Sequence, residues 1–148
     1  MTNPRISAAR LDVQSKAKAI GIDEAYISVL VDRFYGHIRN HAELGPIFQQ
    51  AIGENWDVHL TRMKAFWSSV ALNSGVYSGK PVPAHYKHKT MIEPAHFETW
   101  LALFRQTLEE TAETKEAVDY FMLRANRIAK SLQLALFGMP GLGAPQYG

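Results

Sequence analysis

Four long stretches of this chain set apolar residues three and four positions apart, a spacing that dictates helices with one buried face. In the first, Ile27, Leu30, Val31, Phe34, Tyr35 and Ile38 recur in that register, which predicts a helix over residues 23–40 with Asp23 as its N-cap. In a second, over 55–73, Trp56, His59, Leu60, Met63, Phe66, Trp67 and Val70 share a face, so one histidine sits on the apolar side. Pro94 suits the first turn of a third helix over 95–111, with Phe97, Trp100, Leu101, Phe104 and Leu108 inward. The fourth spans 114–137 and carries Val118, Phe121, Met122, Ala125, Ile128, Ala129 and Leu132 on one side. No segment keeps the strict alternation of a strand and no internal repeat is found, so the expectation is an all-α chain.

The connections are less regular. In residues 41–53 Gly45 and Pro46 are expected to break the helix, while Phe48 and Ile52 reach inward from a corner. Gly75, Gly79, Pro81 and Pro83 make 74–85 a long loop that ends at His85, with a turn of helix expected after it. Residues 1–20 are polar and only weakly amphipathic and read as a loosely attached extension. Residues 21–138 form the one expected domain, and 139–148, rich in Gly and Pro, read as a flexible tail. With 47% hydrophobic residues in a chain of 148, one sizeable core can be buried with apolar surface left to line a pocket.

The chain has no cysteine, which removes disulfides, thiolate nucleophiles, zinc ribbons and iron–sulfur clusters; any metal must rest on His, Asp, Glu, Tyr or Met. The net charge is +2 and the basic residues are scattered, so nucleic acid is not an expected partner. No run approaches the ~18 apolar residues of a membrane span, and the first residues lack the apolar core of a secretory leader, so a cytoplasmic protein is expected.

Histidine is therefore the side chain on which chemistry turns. His59 lies on a long helix and His85 at the end of a Pro-rich loop, too far apart in sequence to neighbour each other on one helix. A haem between two helices needs one imidazole on iron and another polar group on the opposite face. On periodicity alone, a core histidine with a backbone partner and a surface loop histidine are the competing readings, just as Tyr35 and Trp100 read equally as core filler. Glu93-Pro94-Ala95-His96 formally matches the Glu-x-x-His of di-iron bundles, but such bundles require the motif twice and here it occurs once. His37, His41 and His96 read as solvent-facing or capping residues.

The stretches LVDRFYGHIR (30–39), LGPIFQQAIG (44–53), WDVHLTRMKAFWS (56–68), YSGKPVPAH (77–85) and HFETWLALF (96–104) together resemble the truncated haemoglobins of group III. The resemblance covers about residues 22–137, and its specificity lies in five separated motifs that keep the family's order and nearly its spacing. It implies a shortened globin, an all-α two-over-two helical sandwich around haem b. By match to the YxGxPxxxH motif, His85 is the implied iron ligand, and Tyr35, His59 and Trp100 fall on the family's distal polar positions. Met63 would sit beside the ligand, and Phe34, Phe48, Phe66, Trp67 and Phe97 are implied pocket or core residues. Arg62 and Tyr77 are candidates to meet the haem propionates, Arg62 through a charge-assisted pair. His85 is followed by Tyr86-Lys87-His88-Lys89, more polar than the family's usual run, which makes His88 a rival ligand; Gly79-Lys80-Pro81 anchors the register in favour of His85.

The resemblance implies binding of O2, NO and CO. O2 held at ferrous haem gathers partial negative charge, and a buried hydrogen bond to such an acceptor is worth ~1.5 to 3 kcal/mol. Three donors around one ligand suit holding or converting it better than delivering it freely. NO dioxygenation, nitrite reduction and peroxidase-like chemistry are all open to such a site, so no single enzymatic activity is expected. The chain lacks a flavin- or NAD-binding motif, so electrons would come from a separate reductase. A neutral His85 donating its other ring N–H to a backbone carbonyl would be the ordinary globin arrangement. The alternative is a cofactor-free helical interaction module in which the aromatic residues are only core.

Overall fold

Capping side chains set where two of the expected helices, those over 23–40 and 114–137, begin. In the computed structural model, which describes residues 4–77, 79 and 81–138, the elements are α1 (Pro4–Ala19), α2 (Glu24–Asn40), α3 (Leu44–Ile52), α4 (Trp56–Leu72), α5 (Pro81–Tyr86), a 3₁₀ turn (Lys89–Met91), α6 (Pro94–Thr111) and α7 (Lys115–Phe137). No strand occurs among the described residues, and the expected tail at 139–148 lies outside them. Asp23 stands extended before α2 and its carboxylate accepts from the Tyr26 N–H at 2.8 Å. Thr114 does the same for α7, accepting from the Ala117 N–H at 3.1 Å, and its hydroxyl donates to the Ile20 carbonyl at 2.8 Å. Each such cap contributes ~1 kcal/mol, and the second also ties the α1–α2 junction to the α6–α7 turn.

Two local expectations are corrected. Gly45 and Pro46 do not break a helix: they are the second and third residues of α3. Proline costs little there, because a first-turn N–H has no acceptor within its own helix. Gly45 is required by proximity, since a Cβ at this position would lie 2.8 Å from the Arg39 carbonyl oxygen. His41 completes the start of α3, its Nδ1 accepting from the N–H groups of Glu43 and Leu44, both at 3.1 Å. The loop expected to end at His85 likewise ends earlier: Pro81 and Pro83 lie in the first turn of α5, which carries His85, and the helical turn expected after it is the 3₁₀ turn.

The helices pack as two crossed pairs. α2 lies against α4, α6 lies against α7, and α2 also meets α6 where the pairs cross; α3 packs on α2, α5 on α7 and α1 on α4. This is the expected two-over-two arrangement. Ile27, Leu30, Phe34 and Ile38 of α2 are fully buried against Trp67 of α4, Phe104 and Leu108 of α6 and Phe121 of α7. Burying a side chain of this size stabilises the fold by ~1.5 to 3 kcal/mol, so the crossing of the pairs is its mechanical centre. A smaller cluster of Phe97, Ala129, Leu132 and Leu136 joins α6 to the end of α7.

The last turns of the N-terminal extension are packed: Ala17 is buried and Gln14 Nε2–H donates to the Leu72 carbonyl at 3.2 Å. The Tyr120 hydroxyl donates to the neighbouring Ala71 carbonyl at 2.6 Å. Together they satisfy two of the carbonyls that the C-terminal end of α4 leaves without helical partners.

Candidate functional site

On the inner face of α2, Tyr35 is only 5% exposed and forms the floor of an aromatic cluster. Its ring meets His59 of α4 edge to face, with centroids 5.0 Å apart at 84°. Phe48 of α3 and Trp56 of α4 stand edge-on to it at 6.0 and 6.1 Å. Burial raises the Tyr35 pKa well above the usual phenol value, and nearby Tyr77 pushes the same way. The hydroxyl thus keeps its proton at any working pH and remains a donor.

His59 is the more unusual group. Its Nε2 is buried and has no hydrogen-bond partner. Burial lowers its pKa from 6.5 to about 4, helped by His85 and Arg62. The ring is therefore neutral near pH 7, with one nitrogen able to donate and the other to accept. An unsatisfied buried polar atom costs free energy that a ligand bound beside it would recover.

Trp100 is held by a stack of rings that begins in the core. Trp67 lies nearly parallel to Phe104 at 4.9 Å, and Phe104 nearly parallel to Trp100 at 5.5 Å. Phe34 closes the stack edge-on to Trp100 at 5.4 Å and to Tyr35 at 5.3 Å. The fully buried Phe34 and Phe104 therefore carry core rigidity outward to half-buried Trp100.

His85 is presented from α5. Its Nδ1–H donates to the Pro81 carbonyl at 2.6 Å, one helical turn earlier. A carbonyl only accepts, so the proton sits on Nδ1 and the Nε2 lone pair is left for a metal. This is the backbone-carbonyl arrangement expected from the sequence. Burial depresses the His85 pKa, the Pro81 bond opposes that, and His88 adds to the depression. His85 is among the groups that depress the His59 pKa, so the two imidazoles, on separate elements, lie in one region.

The remaining candidates are distributed unevenly. Phe66 and Tyr77 meet edge to face at 5.2 Å, and the Tyr77 N–H donates to Ser69 Oγ at 3.0 Å. Met63 and Phe48 are half-buried at the margin of the main core, whereas Trp67 lies within it and Phe97 belongs to the smaller cluster. Arg62 is exposed, with its charge acting on His59. His88 follows in the same turn as His85, its N–H donating to the His85 carbonyl at 2.9 Å. His37 pairs with Glu110 at 2.7 Å on the surface. His96 Nδ1 accepts the Glu93 N–H at 2.9 Å, so the apparent Glu-x-x-His motif is occupied in capping α6. Among the described residues no group of three His, Asp or Glu side chains could hold a metal ion.

Sequence reasoning placed Trp56 on the face shared with His59 without giving it a role at the site. Its ring stands edge-on to both Tyr35 and His59, the latter at 6.0 Å. The available signal was its position three residues before His59 on one helical face.

The bacterial-like globin family model matches residues 17–134. Group 3 truncated hemoglobin ctb of Campylobacter jejuni is 32% identical over 123 residues, which cover 81% of this chain and 95% of that protein. A crystal structure of group III truncated hemoglobin from Campylobacter jejuni superposes with a TM-score of 0.71 at 33% identity, covering 78% of this chain and 92% of that one. With a family match over most of its length and the two crossed helix pairs of a truncated globin, the chain belongs to the bacterial-like globins and, among them, to the truncated haemoglobins of group III.

Proposed function

We propose that the chain would hold haem b through His85 Nε2 and would bind diatomic gases, O2, NO and CO, against Tyr35, His59 and Trp100. The truncated globin family carries haem and gas binding as its common properties. The observation that carries the assignment to these residues is the state of the two imidazoles. His85 has its Nδ1 committed to the Pro81 carbonyl, and His59 holds a buried Nε2 with no partner. This donor set fits the group: one neutral nitrogen free for iron and one polar atom awaiting a ligand.

Haem, when bound, supplies a ferrous iron that takes up diatomic ligands and exchanges electrons. The chain's own residues do the rest. Tyr35 O–H, neutral His59 and Trp100 N–H are rigidly mounted donors that favour a ligand carrying negative charge. Phe34, Phe48, Met63, Phe66, Trp67 and Phe97 supply the apolar surface that lines or backs the pocket and keeps bulk water from it. Arg62 and Tyr77 stand to meet the propionates, Arg62 as a charge-assisted partner. The same donors would act on NO-derived or peroxide ligands, so NO or peroxide detoxification is the redox chemistry this pocket favours. Its electrons would come from a separate cytoplasmic reductase.

A visible spectrum of the purified chain, reduced with dithionite and exposed to CO, tests this. A sharp Soret band that shifts on CO addition is expected. A colourless chain that also fails to take up added hemin would overturn the reading in favour of a cofactor-free interaction module.

A further inference from the structure

Trp56 is the first residue of α4, and Asn55, at the N-cap, makes no side-chain capping bond there. The turn that carries His59 is therefore held at its start by something other than an N-cap. Four side chains converge on the buried Trp56 indole. Its Nε1–H donates to the Gln49 side-chain oxygen of α3 at 3.0 Å. The Arg39 guanidinium of α2 lies over its ring, 4.4 Å from the centroid. Its remaining edge faces the His59 and Tyr35 rings at 6.0 and 6.1 Å.

From this geometry we propose that Trp56 is a positioning residue for the distal pair, latched from outside by Gln49 and Arg39. The two latching side chains reach the indole from exposed positions on two other helices. The indole π-face attracts the cation and its one N–H donates to Gln49, so both its tilt and its depth are set. His59 and Tyr35 have aromatic edges as neighbours here, and edge-to-face contacts fix ring orientation rather than mere proximity. Gln49 and Arg39 thereby act on the pocket through Trp56 without lining it. The effect on a bound ligand rests on the haem-binding reading above; the effect on ring geometry does not.

Gln49→Leu removes the acceptor and Arg39→Gln the cation, each at an exposed position, while Trp56→Phe keeps an aromatic ring without the N–H. In the haem-free chain, Gln49→Leu should weaken the nuclear Overhauser contact between the His59 and Tyr35 rings. It should also speed exchange of the Trp56 indole proton about tenfold, as expected when a local closure is lost. In the loaded ferrous protein with CO, the single main C–O stretching band should split in both latch variants. O2 dissociation should rise roughly threefold, the scale of one neutral hydrogen bond. Adding Gln49→Leu to Trp56→Phe should leave the ring contacts and the C–O band as they are in Trp56→Phe, because the glutamine reaches the rings only through the indole N–H, its other bond, from Nε2–H to the Gly53 carbonyl at 3.2 Å, lying within the α3–α4 turn. Unchanged ring contacts with an unsplit band, or effects that add in the double variant, overturn the proposal. If the chain takes up no haem, the proposed function fails, and the ring contacts in the haem-free chain alone decide the latch.

Discussion

Tyr35 and His59 meet edge to face across the α2–α4 crossing, 5.0 Å between ring centroids and at 84°. The phenol belongs to a helix buried on its inner face along its whole length, whereas the imidazole sits one turn from the uncapped start of α4. Tyr35 is accordingly the more rigid of the two and the stronger candidate for holding a ligand. In Tyr35→Phe the core should close around a nearly identical ring, and haem uptake should be retained. A buried hydrogen bond to a charged acceptor is worth ~1.5 to 3 kcal/mol, so O2 should leave about tenfold faster or more. Stopped-flow O2 dissociation measures this directly, and an unchanged rate would remove Tyr35 from the distal role.

The bond from His85 Nδ1 to the Pro81 carbonyl separates the two rival ligands. His85 is oriented by its own helical turn, while His88 is half-buried at the start of the 3₁₀ turn. His85→Ala should lose most bound haem, and His88→Ala should retain it. Haem content per chain after purification decides between them; the reverse pattern would transfer the iron to His88.

Unlike α1, whose residues set no apolar stripe, the four other long helices were legible, and α2 also carries a side-chain cap at the expected residue, Asp23. The two short elements were not. In α3 and α5 proline sits inside the first turn, where its missing N–H goes unnoticed, so a residue that signals a break is compatible with a helix start. His59 and His85 were identifiable from residue type, apolar context and motif match. The grip of Trp56 was not, because it depends on Gln49 and Arg39 arriving from two other helices, a relation with no sequence period.

Gly45 offers a test of the corrected α3. A Cβ there would lie 2.8 Å from the Arg39 carbonyl oxygen, a backbone atom that cannot swing aside as a side chain would. Gly45→Ala should destabilise the fold by ~1 to 3 kcal/mol despite alanine's better helix propensity, since the clash outweighs the propensity gain. Gly36 is the control, being helical with open space around its missing Cβ. Gly36→Ala should stabilise by ~0.5 to 1 kcal/mol. Urea midpoints for the two variants should fall on opposite sides of the unsubstituted chain; Gly45→Ala on the stable side would mean α3 does not approach α2 this closely.

The half-buried imidazole of His59 gives the haem-free chain a defined response to acid. Its pKa falls from 6.5 in the open chain to about 4 in the fold, first through burial and then through His85 and Arg62. Between those values the unfolded chain binds a proton that the folded chain refuses, and each such proton favours unfolding. The stabilising contribution is therefore complete above pH 6.5, declines as the pH falls toward 4, and is gone below that. His85 is depressed in the same direction, so it adds to the slope. Urea midpoints measured at pH 7, 5 and 4 should drop for the unsubstituted chain and drop less for His59→Phe, which has no proton to bind at this position. In the same haem-free chain, the His59 ring resonances should titrate with a midpoint near pH 4. An equal acid sensitivity in His59→Phe, or a midpoint near 6.5, would show that the imidazole is solvated and that its Nε2 is not held in reserve for a ligand.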